Sequence, residues 1–130
     1  MRPIIALLLL FILASCVQPA QINLIEPVQA KELIDKKAQT DLFVLNVHTP
    51  YQGKIEQTDS VIQDWQNIAK YEQQLPKNKD TPILVYCRSG RMSASAAQQL
   101  QELGYKTIYD LKGGMQQWKK EGFNLVDWQN

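Results

Sequence analysis

The stretch LVYCRSGRMSASAAQQLQELGY, residues 84–105, places a thiol, Cys87, where an apolar strand-like run gives way to a helix-like run. Arg88, Ser89, Gly90, Arg91 and Met92 follow it directly, and Ser93 stands next. A tight turn ahead of a helix can aim successive backbone N–H groups inward as an anion-binding nest. The helix behind adds its unsatisfied N–H groups and the positive end of its dipole. Arg88 and Arg91 add full positive charge, and Gly90 permits a backbone shape that a Cβ resists. Each of these features favours thiolate over thiol, and so a nucleophile acting on a group that arrives or leaves as an anion. A cysteine kept only to end a strand has no use for two neighbouring arginines.

The chain has a second cysteine, Cys16, in a different setting. The segment MRPIIALLLLFILASC carries one positive charge, Arg2, and then an apolar run over residues 3–14. That run is shorter than the roughly 20 residues of a membrane-spanning helix and fits a secretory signal. The residues Leu13, Ala14, Ser15 and Cys16 resemble the lipobox of bacterial lipoproteins. The resemblance implies a signal peptide over residues 1–15 and a lipidated Cys16 at the start of a short tether over residues 16–22. An ordinary signal peptide cut near Ala14 is the alternative. Acyl chains on Cys16 would hold the protein at a membrane surface, since each buried methylene contributes roughly 0.8 kcal/mol. Val17, where an aspartate favours inner-membrane retention, points to the periplasmic face of the outer membrane. With Cys16 acylated, Cys87 becomes the sole thiol and no internal disulfide can form, in a compartment where disulfides are usual.

The remaining residues must position that thiol. A chain of 130 residues makes one small domain, expected over residues 23–126 and to act as a monomer. Fourteen basic residues face thirteen acidic ones, and Arg2 lies in the leader, so the rest is neutral and gives no charge argument for nucleic acid. QINLI (residues 21–25), DLFVLNV (41–47), ILVY (83–86) and TIYDL (107–111) read as strands, with VIQ (61–63) as a brief further one. Helices are expected over EPVQAKELIDKK, with Pro27 in the first turn and Val28, Leu33 and Ile34 on one face. They are also expected over residues 64–75 with Asp64 as N-cap, over SASAAQQLQEL with Ser93 as N-cap and Gly104 past its end, and over MQQWKKE after Gly113 and Gly114. Residues 48–60 read as a polar loop. Alternating strands and helices imply a mostly parallel sheet covered on both faces, with the site at the carboxyl ends of its strands.

VYCRSGRMSASAAQQLQELGYKTIYDLKGGMQQWKKEGF closely resembles the second half of a rhodanese-like domain, in which a cysteine opens the active loop and a GG…W…G segment closes the domain. The resemblance implies a three-layer α/β fold with a central five-stranded parallel sheet. It further implies a sulfurtransferase whose Cys87 carries sulfane sulfur as a persulfide. Arg88, Ser89, Gly90, Arg91, Met92 and Ser93 then form the loop around the terminal sulfur, with both arginines set to hold an oxyanionic donor. The partners implied are a small donor such as thiosulfate or a polysulfide and a thiol or cyanide acceptor. No metal or organic cofactor is called for.

The first half departs from the family pattern. NVHTPYQGKIEQTDS puts Asn46 where an aspartate is common and His48 where an arginine is common, which removes the usual ion pair. His48 is an auxiliary possibility as a base for Cys87, with bracing of the loop as the plainer role. One histidine and one available cysteine make a zinc site implausible. Phosphatases with a Cys-x5-Arg loop share this arrangement, but the sixth residue after Cys87 is Ser93, so the bidentate phosphate clamp is missing. Trp118 reads as a packing residue, and Tyr51 and Trp128 as residues for the mouth of the site. Two further readings stay open: a non-enzymatic module binding an anion or a partner at the envelope, and a thiol-redox protein.

Overall fold

Aliphatic and β-branched runs alternate with segments that have one apolar face, and the computed structural model turns that alternation into strands and helices over residues 19–128, the residues it describes. In chain order these are β1 (Gln21–Ile25), α1 (Pro27–Asp35), α2 (Lys37–Thr40), β2 (Phe43–Asn46), β3 (Lys54–Ile55), β4 (Ser60–Val61) and a 3-10 segment (Ile68–Gln74). There follow β5 (Ile83–Tyr86), α3 (Arg91–Glu102), β6 (Thr107–Leu111), α4 (Gly114–Lys120) and β7 (Leu125–Val126). The expected leader and Cys16 lie outside the described residues.

The central sheet has five strands in the order β1-β6-β5-β2-β4, all paired in parallel, as the sequence implied. The strand that ends at Cys87 is the middle one. Its side chains alternate between two cores: Ile83, Val85 and Cys87 pack with Ala96, Ala97 and Leu100 of α3, while Leu84 and Tyr86 pack with Ala30, Ile34, Met115 and Trp118 from α1 and α4. Helices thus cover both faces and complete three layers.

Several local expectations are corrected. The helix foreseen over residues 64–75 is a 3-10 segment beginning at Ile68, with Tyr71 outside helical geometry. The Gln99 side chain of α3 donates to the Trp65 carbonyl at 2.7 Å and accepts the Ile68 N–H at 2.9 Å, taking up backbone groups that a regular helix would pair internally. Asp64 accepts side-chain hydrogen bonds from Asn67 and Tyr71 and caps no helix. In α1 the inward positions are Pro27, Ala30 and Ile34, at helical spacing, and Val28 is left exposed. The loop after β2 contains β3, which forms a two-residue antiparallel ladder with β7, Lys54 opposite Val126 and Ile55 opposite Leu125. Strands of two residues are too short to show a period in sequence.

Candidate active site

Cys87 continues the pleat of β5 toward α3 and is 1% exposed. Its Sγ accepts the Gly90 N–H at 3.0 Å. Gly90 makes that possible with φ of 104°, a left-handed conformation that other residues rarely adopt. Of the expected nest, the Gly90 amide is the one seen to reach the sulfur. Gly90, not Ser93, is the N-cap, because α3 begins three residues earlier than expected, at Arg91. Ser93 therefore sits inside the first turn, fully buried, where the Cys87 thiol donates to its Oγ at 3.5 Å and its own hydroxyl donates to the Gly90 carbonyl at 3.2 Å. Ser89 and Arg91 are exposed, whereas Met92 packs against the α3-side core.

The loop is held from behind by α4. The Met115 N–H donates to the Cys87 carbonyl at 2.9 Å, and the Gln116 N–H donates to that of Arg88 at 3.0 Å. Orphan amides of one helix start thus satisfy carbonyls of the loop.

Arg88 is half-buried and turns toward the segment after β2. Its Nη1 donates to Gln52 Oε1 at 2.9 Å, and the same oxygen lies 2.7 Å from His48 Nε2. An amide oxygen only accepts, so Nε2 carries the ring hydrogen. The Arg88 guanidinium lies 5.6 Å from the Trp128 ring centroid, and Lys119 Nζ lies 4.1 Å from it. Arg88 Nε is buried without a hydrogen-bond partner among the described residues. Asn46 replaces the family's charged brace with a neutral one: its Nδ2 donates to the Gly53 carbonyl at 3.0 Å and its Oδ1 accepts the His48 N–H at 2.9 Å. His48 is thereby tied to Gln52 and Asn46, within the support of Arg88.

On the other side of β5, Asp110 of β6 is paired in register with Val85. It shares the α3-facing side of β6 with Ile108, is 4% exposed and leaves Oδ1 without a hydrogen-bond partner among the described residues. Burial pushes its carboxyl up to about 6, and the Ser93 side chain acts the other way.

The structure brings together Cys87, Arg88, Gly90 and Ser93, joins His48 to them through Gln52, and sets Trp128 beside Arg88. Trp118 packs in the core and donates its indole N–H to the Asn124 carbonyl. Gln52 and Asp110 escaped the sequence reading. Gln52 lies in a polar loop with no pattern to mark it. Asp110 did carry a signal, as an acidic residue on the inward parity of a buried strand.

The chain matches the rhodanese-like domain family over residues 26–121. It is 44% identical over 54 residues to thiosulfate sulfurtransferase GlpE of Coxiella burnetii, a match covering 41% of this chain and 50% of that protein. The match thus spans only half of that relative's length. A sulfurtransferase of Allochromatium vinosum is 28% identical over 107 residues, covering 79% of this chain and 96% of its own. Among solved structures, a rhodanese-related protein of Thermoplasma volcanium superposes with a TM-score of 0.66 at 28% identity, covering 81% of this chain and 98% of that one. The polysulfide-sulfur transferase of Wolinella succinogenes shares the fold with a TM-score of 0.67 at 24% identity, covering 81% and 78%. With a buried cysteine at the end of the central strand and a glycine-capped helix behind it, the chain belongs to the rhodanese-like family.

Proposed function

We propose that the protein is a sulfurtransferase that carries sulfane sulfur on Cys87. The observation that carries this reading is the Gly90 N–H aimed at Cys87 Sγ from 3.0 Å, at the start of α3. A donor N–H and a helix N-terminus both favour negative charge on sulfur. The Cys87 thiolate attacks the outer sulfur of thiosulfate, the S–S bond to the sulfonate breaks, and its electron pair departs with sulfite. A persulfide anion remains on Cys87. An acceptor thiolate or cyanide then bonds to the outer sulfur, and the electron pair of the breaking S–S bond returns to Cys87 as thiolate. The cycle has two covalent steps and needs no added oxidant or reductant. Arg88 and Arg91 supply the charge that draws and holds the dianionic donor.

Incubating the full chain with thiosulfate or a polysulfide is expected to add about 32 Da, one sulfur, to the peptide containing Cys87. Cys87→Ser is expected to abolish the adduct. Absence of the adduct with every sulfane donor overturns the proposal.

The reading includes a monomer held at the bacterial envelope by lipid on Cys16, facing the periplasm. Its support is the leader sequence. Cys16→Ser is expected to move the protein from the membrane fraction to the soluble fraction, and an unchanged distribution overturns that part.

A further inference from the structure

We propose that Trp128 is a positioning residue for Arg88: its indole, brought beside the active loop by β7, holds the guanidinium where an anion approaching Cys87 meets it. Arg88 directly follows Cys87 in the chain, and its guanidinium lies over the Trp128 ring, 5.6 Å from the centroid. A guanidinium within about 6 Å of an indole centroid is attracted by the negative face of the ring. Arg88 Nη1 meanwhile donates to Gln52 Oε1 at 2.9 Å. Two segments far apart in sequence thus restrain one side chain.

The indole reaches Arg88 because the chain after α4 is fastened down. Leu125 and Val126 pair with Ile55 and Lys54. Gly53 lies so close to this ladder that an added Cβ would come within 2.7 Å of the Val126 carbonyl oxygen and 2.8 Å of that of Asp127. The Gly53 carbonyl in turn accepts Asn46 Nδ2 at 3.0 Å, so the end of β2 fixes the loop on which the last strand is laid. Trp128 itself is partly buried and packs against the core shared with α1 and α4. Gln52 adjoins the ladder in sequence, so both partners of Arg88 belong to one joined unit.

What the indole leaves open matters as much as what it holds. Among the described residues Arg88 makes one side-chain hydrogen bond, to Gln52, and its Nε is buried without a partner. A ring face attracts the cation by its charge distribution and occupies none of its N–H groups, so the guanidinium is fixed while most of its donors stay available. A carboxylate in the same place would fix the group and also neutralise it. Lys119 Nζ lies 4.1 Å from the same centroid, and neither cation has a carboxylate within salt-bridge distance among the described residues. Two positive charges share one ring, which favours an anion beside them. Use of this arrangement to hold an oxyanionic sulfur donor rests on the functional reading above, while the attraction of an anion to Cys87 does not.

The test compares alkylation of Cys87 by iodoacetate and by iodoacetamide in the full chain, followed on the Cys87 peptide by mass spectrometry. In both reactions the thiolate bonds to the reagent's methylene carbon and iodide leaves; the reagents differ in carrying a carboxylate or a neutral amide. The ratio of the two rates therefore cancels the reactivity of the sulfur and reads the pull on the anion. Trp128→Leu keeps apolar packing without a ring, and is expected to lower the ratio on the order of two- to fivefold, with Trp128→Phe restoring most of it. Arg88→Ala is expected to lower the ratio further, and adding Trp128→Leu to it to change nothing more. Should Trp128→Leu fail to fold, difluorotryptophan incorporated throughout the chain keeps the ring's shape and weakens its negative face. It is expected to lower the ratio in the wild-type sequence and to leave that of Trp128→Phe unchanged. A ratio unmoved by losing the indole, or lowered equally in the Arg88→Ala chain, overturns the inference, and so does a Cys87 closed to both reagents. No sulfur donor enters the measurement, so its failure and the failure of persulfide formation are separate results.

Discussion

Gly114 lies so close behind Cys87 and Arg88 that no side chain fits between: a Cβ on Gly114 would come within 2.6 Å of the Arg88 carbonyl carbon and oxygen. Gly114 also has φ of 57°. The same contact lets Met115 and Gln116 donate to the two loop carbonyls. Gly114→Ala must either push α4 off the loop or distort the backbone, and is expected to cost about 2–5 kcal/mol. Urea denaturation reads the loss of stability, and sulfur loading of Cys87 is expected to fall with it. Wild-type stability together with wild-type loading would show that α4 does not hold the loop.

Gln52 holds Arg88 by one charge-assisted hydrogen bond, at 2.9 Å. Gln52→Ala frees the guanidinium and leaves His48 Nε2 without its partner. The expected outcome is a fall of about five- to tenfold in kcat/KM for thiosulfate, equivalent to about 1–1.4 kcal/mol. Arg88→Ala is expected to fall further and to lose much of the dependence on ionic strength. Steady-state kinetics at two salt concentrations check both.

Asp110 also makes stability depend on pH. Its folded-state value is about 6 against an ordinary 3.8, so the native state binds the proton more tightly than the unfolded state. Below about pH 4 both states are protonated and there is no penalty. As pH rises from about 4 through about 6 the native state loses stability relative to the unfolded state, by about 3 kcal/mol once ionisation is complete. Asp110→Asn is expected to recover much of this at pH 8 and to gain little at pH 4. Chemical denaturation at the two pH values measures the difference, and an equal effect at both would contradict it.

Tyr86 reaches through the core shared with α1 and α4 to brace the segment after β2. Its Oη accepts the Ile55 N–H at 2.9 Å and bonds Thr58 Oγ1 at 2.7 Å, and burial raises its ionisation well above the usual tyrosine range. Tyr86→Phe strands a buried N–H, with an expected loss of about 1–3 kcal/mol by urea or thermal denaturation. No change in stability would mean the braced loop contributes nothing to the fold.

The parallel sheet was legible in sequence because buried strands such as Ile83–Tyr86 announce themselves as apolar runs. Cys87 was legible because its loop places charge and glycine beside a thiol. The stretch over residues 64–75 was misread because Gln99, 31 residues from Ile68, diverts its backbone groups, and no local pattern carries that information. Ser93 looked like a cap by residue type alone, but Gly90 can cap through backbone shape without a side-chain bond. Gln52 reaches Arg88 from 36 residues away, so its role appears only once the chain is folded.

Cys87 exposes only 1% of its surface. A reagent that meets it is therefore expected to be slim at the reacting end. The depth of the thiol acts as a gauge of width.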